Sequence, residues 1–567
     1  MQVLERDDAE HGAQRKSFAQ PWTRQPKAIA GVLLLVYVIL ALFVDVNGHL
    51  ASDTGGKIGS VEAFSESSSF DLGYWFEDAD PQGRFFPYFS TVQTADGTWI
   101  NSTTLIMLIP AGALWSLGGA RAILLLPMLG ALLTAFAGRR LHQRLQPGND
   151  GTASMWLLGL LSPAAVYALT FWEHALGLGL MLMGITLVLD ACDEHGNTKS
   201  ALLAGLAFGA AATMRQEALV YGFVGGVAIT GVWAARASWR RLVTSSLGFS
   251  FGAVVVVAAN ALLEIALLGT SLRTARAGGT FGGTGSDGGT RLVDSIAGTL
   301  VAFSSRNTIS WLISGILIAS MTALAIAVWR RPQTTTAHRV AIAGVLIGWV
   351  MFVWLLSIVG LVSVPGSAVA APLSIFGLVG ALSTKRWRLP LVVGVLGPVP
   401  IVMMTAFTGF GFAQWAGRYH LASTAVLVVM GFVWLAVKNP LVLRVMLGCT
   451  VVVTAAGVAF LIGRTHSVGD TVRQFEASTA PETVVVWRDP LVAREFAETA
   501  RGRNWLNATH PQDQSDLSTL LRGEGVSSFL WIAPPDFEDG FVGFVPAEVQ
   551  GQLDHFEHDV ILMVAQR

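Results

Sequence analysis

The chain has 567 residues, of which 52% are hydrophobic and 13% are charged, and its mean hydropathy is +0.55. An average soluble protein has about 25% charged residues, so this composition excludes an ordinary soluble globular protein. The formal net charge of -1 excludes a global basic field that would draw nucleic acid. Apolar runs of about 20 residues recur instead, each long enough to cross a hydrocarbon core of roughly 30 Å.

The first apolar run follows a polar segment, residues 1–27, and lacks a small-residue cleavage site, which indicates a retained span and not a cleaved signal peptide. Arg24 and Lys27 predict that this segment is cytoplasmic. In chain order the sequence predicts thirteen transmembrane helices, at 28–46, 122–138, 152–169, 175–189, 200–213, 218–235, 246–268, 309–328, 340–362, 368–382, 391–406, 421–437 and 441–462.

The distribution of Lys and Arg tests this order, because basic residues of short loops stay on the cytoplasmic face. With the N-terminus inside, every cytoplasmic loop is basic. These loops carry Arg139, Arg140, Arg144, Lys199, Arg236, Arg240, Arg241, Arg330, Arg331, Arg339, Lys385, Arg386, Arg388, Lys438 and Arg444. The apolar run at 104–117 has only about 14 residues and would invert the pattern, so it predicts an interfacial or re-entrant helix.

Three segments predicted on the outer side are too long to be turns: 47–103, 269–308 and the tail from 464 to 567. The tail has strand-like runs at 483–487, 527–532 and 559–564 and a helical pattern after Pro490. We therefore predict an all-α polytopic membrane bundle over 28–463, followed by a small α/β extracytoplasmic domain over 464–567. The Gly-rich stretch 278–289 has no preceding strand and no Walker lysine, so it predicts a flexible loop.

Cys192 and Cys449 lie far apart at or within apolar runs, so neither a disulfide nor a thiolate metal site is indicated. Ionisable residues beside apolar helices are costly and need a reason to be there. On the predicted topology they gather at four outer helix ends, as Asp53 with Lys57, Glu173 with His174, Arg215 with Glu217, and Arg418 with Tyr419 and His420. They could be helix caps and interfacial anchors, or one buried polar site in which the charges pair.

The first outer segment adds alternating carboxylates and aromatic residues in the stretch FDLGYWFEDADPQGRFFPY. Its candidates for sugar contacts are Asp71, Tyr74 and Asp80. Aromatic faces stack on sugar C–H groups and carboxylates accept from sugar hydroxyls, but aromatics also form the interfacial belt of any membrane protein. Both interpretations stay open for this loop.

Several motifs resemble the GT-C superfamily of membrane glycosyltransferases, which use polyprenyl-phosphate-linked sugars and include protein O-mannosyltransferases and aminoarabinose transferases. The resemblance rests on SDTGGK after the first span, the LGGARAILLLPMLGALL run, FWEHALG, the RQEAL turn, QWAGRYHL and an outer C-terminal domain. It implies an inverting sugar transfer from a polyprenyl-phosphate donor to an extracytoplasmic acceptor. The acceptor would be a cell-envelope glycan, a lipid or a protein, and the enzyme would lie in the plasma (inner) membrane of a bacterium.

The resemblance also implies that an acidic residue of the first outer loop, here Asp53, is the base that takes the acceptor proton. Cations would hold the donor phosphate, and Lys57, His174, Arg215 and Arg418 are available for this task. Many relatives have an adjacent acidic pair where SDTGGK has one Asp, so Glu173 or Asp71 remain alternative bases. A divalent metal is possible, but no ligand spacing requires one.

Two other functions remain open. A transporter or flippase of lipid-linked glycans would also suit many spans and an outer polar cavity, although no internal repeat is evident. A polymerase or ligase of surface polysaccharide would also use lipid-linked sugars. Such enzymes usually have a large late outer loop rich in Arg and His, whereas here the first loop is the rich one. The charge pairs at the outer helix ends favour the enzyme.

Overall fold

The computed structural model describes residues 26–48, 53–88, 91–94, 96–102, 105–194, 196–272, 302–303, 308–332, 335–358, 364–404, 415–496, 502–535 and 540–566. Apolar sequence dictates a helical bundle, since a backbone in hydrocarbon must satisfy its own hydrogen bonds. The helices up to residue 268 are α1 Pro26–Ala41, α2 Asp53–Ser67, α3 Leu105–Ala122, α4 Leu125–Leu145, α5 Thr152–Leu160, α6 Pro163–Tyr167, α7 Glu173–Ala191, α8 Thr198–Met214, α9 Glu217–Ala235 and α10 Trp239–Leu268.

The remaining helices complete the bundle and enter the C-terminal domain. They are α11 Thr308–Arg330, α12 Thr336–Ile358, α13 Ser367–Ala370, α14 Leu373–Ser383, α15 Arg388–Leu391, α16 Pro398–Met403, α17 Leu421–Lys438, α18 Pro440–Ser478, α19 Pro490–Glu495 and α20 Pro511–Gly523. Among the described residues, eight helices are long and apolar enough to cross a membrane. The predicted all-α membrane bundle is confirmed, while the count of thirteen spans stays a prediction.

Three of the predicted spans are interrupted at proline residues. The run 152–169 divides into α5 and α6 at Pro163, and 368–382 divides into α13 and α14 at Pro372. The run 391–406 contains a π-helix, Val392–Leu396, before Pro398. Proline has no N–H to donate to the carbonyl four residues earlier, and its ring clashes with that carbonyl, so continuous helices were the wrong expectation there.

Two of the carbonyls freed in this way receive a hydroxyl from a neighbouring helix. The carbonyl of Gly159, four residues before Pro163, accepts the Tyr37 hydroxyl of α1. The carbonyl of Gly394, four residues before Pro398, accepts the Ser423 hydroxyl of α17 at 2.6 Å. Because an unsatisfied carbonyl is costly in an apolar environment, these hydroxyls stabilise the breaks.

The segment predicted as a short interfacial helix, 104–117, forms the first part of α3. The bounds of α3 reach Ala122, but the backbone angles of Gly118 and Gly119 are not helical. The regular part therefore ends at Leu117, which is strongly exposed. The whole of α3 meets the length and composition of a span, so its relation to the membrane stays a prediction.

The C-terminal part contains a five-stranded sheet, as the sequence predicts for a small α/β domain. Its strands are β5 Val485–Trp487, β6 Trp505–Asn507, β7 Ser528–Ala533, β8 Phe544–Leu553 and β9 His558–Ala565, in the order β6-β5-β7-β9-β8. The strand β5 is parallel to β6 and β7, whereas β9 is antiparallel to β7 and β8. Two-stranded pairs form elsewhere, from β1 Thr91–Gln93 with β2 Trp99–Asn101 and from β3 Ala302–Phe303 with β4 Val364–Pro365.

Helix α18 links the bundle to this sheet without a break. Its 39 residues correspond to about 58 Å at a rise of about 1.5 Å per residue. The helix therefore continues well beyond the predicted span end at 462. On the sheet side, Arg464 of α18 contacts Glu495 of α19 at 3.0 Å and donates to Nε2 of His555 at 2.9 Å. Burial beside Arg464 lowers the pKa of His555 to about 4, so a neutral ring accepts this bond.

The first outer loop packs against the same sheet. The Trp75 indole donates to the carbonyl of Trp505 at 3.3 Å, and the backbone N–H of Asn507 donates to the carbonyl of Phe85 at 2.8 Å. Arg84 forms salt bridges with Asp513 and Asp516 of α20 at 2.7 and 2.6 Å. The loop and the C-terminal domain thus form one layer over the end of the bundle where α2 begins.

Candidate active site

Helix α2 is buried although its sequence is polar and glycine-rich. Its residues from Thr54 to Val61 are all buried, including Lys57 at 3% exposure. Asp53 begins the helix, at the end where the helix dipole favours an acidic residue. The side chain of Asp53 lies outside the described part of the chain, but its backbone stands one turn before Lys57. A buried lysine needs acidic partners, and α7 supplies one.

The ion pairs join three helix ends. The ammonium of Lys57 pairs with Glu173, the first residue of α7. Arg215, just past the end of α8, contacts Glu173 at 3.6 Å and donates from Nε to Glu217 Oε1 at 2.9 Å. Glu217 is the first residue of α9. Both carboxylates stand at helix N-termini and the guanidinium at a C-terminus, which is the arrangement that helix dipoles stabilise.

Two aromatic rings connect these ions to Arg418. The guanidinium carbon of Arg418 lies 5.7 Å from the Trp172 ring centre and 4.8 Å from that of Tyr419. Lys57 Nζ lies 5.6 Å from the Trp172 ring, and the Arg215 carbon lies 5.2 Å from the Tyr419 ring. Each ring therefore lies near two cations, at distances suited to cation–π attraction.

These contacts form a closed series of neighbouring side chains. The series runs from Lys57 through Trp172, Arg418, Tyr419, Arg215 and Glu173 back to Lys57. We call Lys57, Glu173, Arg215, Glu217 and Arg418, with the Trp172 and Tyr419 rings, the buried ion cluster. Its described side chains include three cations and two carboxylates. Among the described residues, Arg215 Nη2 has no hydrogen-bond partner. This N–H group is therefore able to donate to a bound anion, and guanidinium groups favour phosphate oxygens.

A glycine permits the close approach of Arg215 to α7. A Cβ added at Gly177 would lie 2.6 Å from Arg215 Cγ, which is closer than side-chain carbons can approach. Gly177 lies one turn after Glu173. The glycine in FWEHALG thus leaves room for the arginine of the neighbouring turn.

The predicted site histidines are both buried. His174 stacks on the Tyr167 ring at 5.2 Å and lies 3.9 Å from the Trp172 ring, so it adjoins the buried ion cluster. Neither nitrogen of His174 or of His420 has a hydrogen-bond partner among the described residues. His420 lies in a 3-10 helix, Arg418–His420, directly after Tyr419. Arg418 donates to the Tyr419 hydroxyl at 2.9 Å.

The candidates in the first outer loop have partners within that loop. Asp71 accepts from the backbone N–H groups of Gly73 and Trp99, each at 3.0 Å. Tyr74 donates to Asp80 at 2.7 Å, and burial together with this bond raises the pKa of Tyr74. Asp80 also accepts from the backbone of Phe85 at 2.8 Å. These contacts fix the loop fold, and they do not join Asp71, Tyr74 or Asp80 to the buried ion cluster.

Sequence reasoning missed Trp172 and Tyr167 as parts of the site. Trp172 precedes Glu173 directly, and the Tyr167 hydroxyl donates to the carbonyl of Trp415 at 2.6 Å, close to Arg418 in the chain. The adjacency of Trp172 to the charged turn was the available signal. No group of three or more His, Cys, Asp or Glu that could hold a metal ion occurs within the described ranges. The Gly-rich stretch 278–289 lies outside the described residues.

Comparisons with known proteins find solved structures whose architecture is similar to that of this chain. No family model matches the sequence, and no curated protein sequence matches it significantly. Three solved structures are similar along most of this chain. ArnT from Cupriavidus metallidurans in the apo state has 14% identity, a TM-score of 0.44, and coverage of 94% of this chain and 97% of ArnT.

The oligosaccharyltransferase of Archaeoglobus fulgidus in complex with zinc and sulfate has 9% identity and a TM-score of 0.47, covering 88% of this chain and 67% of its own. The arabinosyltransferase EmbB of Mycobacterium smegmatis has 14% identity and a TM-score of 0.34, covering 96% of this chain and 47% of EmbB. The last two proteins are glycosyltransferases by name, and their identity to this chain is 14% or less.

Proposed function

We propose that this chain is a membrane glycosyltransferase that moves a sugar from a polyprenyl-phosphate-linked donor to an extracytoplasmic acceptor. The observation that carries the proposal is the convergence of Lys57, Arg215 and Arg418 on two aromatic rings, where the buried Nη2 of Arg215 has no hydrogen-bond partner among the described residues. A buried guanidinium N–H without a partner is costly unless a ligand accepts its hydrogen bond. The phosphate of a lipid-linked sugar is an anion that reaches such a site from the bilayer.

The chemistry of sugar transfer accounts for the cations. When the bond between the sugar and the phosphate breaks, the phosphate keeps the electron pair and gains negative charge. Fixed cations that stabilise this charge lower the barrier, because they are already oriented in a site from which water is excluded. Arg215 can offer its Nη2 to a phosphate oxygen, and Arg418 and Lys57 add positive charge beside it.

Asp53 is the proposed general base. The acceptor hydroxyl or amine must lose a proton as it attacks the sugar carbon, and a carboxylate near the donor phosphate can take it. The support for Asp53 is its place at the start of α2, one turn before Lys57. Glu173 is the less suitable base, because its carboxylate is committed to Lys57 and Arg215. The attack then comes opposite the phosphate, which inverts the sugar carbon.

We further propose that the cluster and the C-terminal domain face outwards from the plasma membrane. This orientation is supported by the other end of α7, where Arg140 and Arg144 lie with further basic residues in short loops. Basic short loops are retained in the cytoplasm. No divalent metal is required by this mechanism, since the cations of the site can hold the phosphate. The donor phosphate and the acceptor are the partners in this proposal.

The test is Asp53→Asn in proteoliposomes supplied with polyprenyl-phosphate sugars and acceptor lipids or glycans of the bacterial envelope. We expect transfer to fall to background while donor binding persists, since the amide cannot take a proton. Asp71→Asn is the matched control, because Asp71 accepts its hydrogen bonds within the first loop. Full transfer by Asp53→Asn would refute the assignment of the base. Translocation of the lipid-linked sugar without transfer would instead favour a flippase.

A further inference from the structure

The C-terminal domain contacts helix α2 at the residue next to Lys57. Arg494 of α19 packs on Gly56 so closely that a Cβ added at Gly56 would lie 3.3 Å from Arg494 Nε and 3.5 Å from its Cγ. The amide nitrogen of Asn101 would lie 2.7 Å from the same Cβ. Arg494 and Asn101 are each 2% exposed, so this contact is excluded from solvent. Gly56 is therefore a point at which α2 touches the layer formed by the first loop and the C-terminal domain.

Successive residues of α2 thus contact opposite layers of the protein. Gly56 meets Arg494 of the C-terminal domain, whereas Lys57 pairs with Glu173 of the bundle. The segment from Thr54 to Val61 is polar yet fully buried, because these two layers enclose it. A movement of Arg494 would therefore displace both ends of the first turn of α2, where Asp53 and Lys57 lie.

Arg494 is itself held in place through its neighbour in α19. Glu495 is 3% exposed and pairs with Arg464 at 3.0 Å. Arg464 belongs to α18, the helix that continues from the membrane bundle. His555 accepts from Arg464 and also contacts the Ser467 hydroxyl at 2.7 Å, which links the sheet side to the same helix. The position of Arg494 relative to the bundle is thus fixed by a continuous helix and not by a loop alone.

We infer that Arg494 is a positioning residue, through which the C-terminal domain holds α2 and thereby sets the placement of Asp53 and Lys57. The inference rests on the proposed function for its kinetic part, but the holding of α2 can be tested without any sugar transfer. It assigns the C-terminal domain a role in the reaction itself. Small displacements matter here, since misplacing a reacting group by about 1 Å can reduce a rate by about 10²-fold.

The experiment compares Arg494→Ala and Gly56→Ala with Arg84→Ala in the full-length protein in lipid nanodiscs. Arg84 is the control because it also joins the first loop to the C-terminal domain, but at the exposed surface through Asp513 and Asp516. The first measurement is hydrogen exchange of the α2 amides. We expect faster exchange in Arg494→Ala and Gly56→Ala, and wild-type exchange in Arg84→Ala, with similar thermal unfolding of the bulk of the protein in all three.

The second measurement is the transfer reaction. We expect kcat to fall by about 10²-fold in Arg494→Ala and Gly56→Ala while the donor KM stays near the wild-type value, and we expect Arg494→Lys to restore part of kcat. Unchanged α2 exchange in both variants would overturn the inference, as would an equal loss of kcat in Arg84→Ala. Faster α2 exchange in a protein whose wild type transfers no sugar would support the holding of α2 and reject the proposed function alone.

Discussion

Two ion clusters stand at opposite ends of α7, separated by 17 residues or about 26 Å of helix. The buried ion cluster includes Glu173 at the start of the helix. An exposed ion cluster lies at the other end, where Asp190 contacts Arg140 at 2.6 Å and pairs with Arg144, which also pairs with Asp193. Both clusters pair basic side chains with carboxylates, but their surroundings differ.

The exposed ion cluster has two cations and two carboxylates, and its arginine side chains are 33% and 43% exposed. Water and salt can therefore compensate any mismatch, and the pairs need no ligand. In the buried ion cluster the side chains of Lys57, Glu173 and Arg215 are 4 to 8% exposed, so water and salt cannot compensate them in the same way. Burial, and not the presence of ion pairs, therefore distinguishes the candidate site from the exposed ion cluster.

Removing one arginine from each cluster should give the largest contrast. Arg215→Ala leaves Glu217 without its Nε partner in a buried position, and we expect it to lower the free energy of unfolding by about 3–5 kcal/mol. Arg144→Ala leaves Asp190 with Arg140, and its expected cost is at most about 1 kcal/mol. Denaturant unfolding in detergent micelles measures both. Equal losses in the two variants would show that burial does not separate the clusters.

A conservative change should separate the clusters by function. Arg418→Lys keeps the charge but removes the planar fork and its bond to Tyr419, so we expect donor KM to rise by about 10- to 100-fold, as for one lost charge-assisted hydrogen bond. Arg140→Lys, the matched variant in the exposed ion cluster, should leave donor KM unchanged. Titration with polyprenyl phosphate checks both, and unaltered affinity in Arg418→Lys would remove Arg418 from phosphate binding.

The smallest expected effect is the dependence of pair coupling on salt. Raising ionic strength from about 0.1 to 1 M shortens the screening length from about 10 to 3 Å. A double-mutant cycle on Arg140 and Asp190 should therefore lose most of a coupling that is at most about 1 kcal/mol. The same cycle on Lys57 and Glu173, which solvent barely reaches, should be insensitive to salt. A salt-sensitive Lys57 coupling would mean that water enters the buried ion cluster.

The bounds of the helices were predictable where the apolar runs were long and uninterrupted. Helices α7, α9 and α17 lie within two residues of their predicted ends, because uninterrupted apolar runs leave no other structure in hydrocarbon. Prolines were the main source of error, since hydropathy does not register a missing N–H at Pro163 or Pro398. In the C-terminal domain, β6 has only three residues and β8 is exposed and contains Pro546, so neither has the alternating pattern of a half-buried strand.

For the candidate site, the charged residues at helix ends were predictable from the sequence. The contacts that join these residues to one another were not. Charges in turns such as Arg215 with Glu217 stand out in sequence because they are costly beside apolar helices. The closure through Trp172 depends on how α2, α7 and the Arg418 turn pack, which no spacing reveals. Arg494 lies in a domain whose sequence has ordinary polarity, and its contact with Gly56 follows only from the folded arrangement of α18 and α19.

The hydroxyls that donate to the carbonyls freed by proline limit the substitutions that these positions tolerate. Tyr37 supplies the hydrogen bond that Pro163 withholds from Gly159, and Ser423 does the same where Pro398 interrupts its helix. Losing a hydroxyl alone orphans a carbonyl, whereas losing the proline as well restores a backbone donor. Each pair should therefore be inherited or replaced jointly. In both pairs a side-chain hydroxyl of one helix replaces a backbone donor of another.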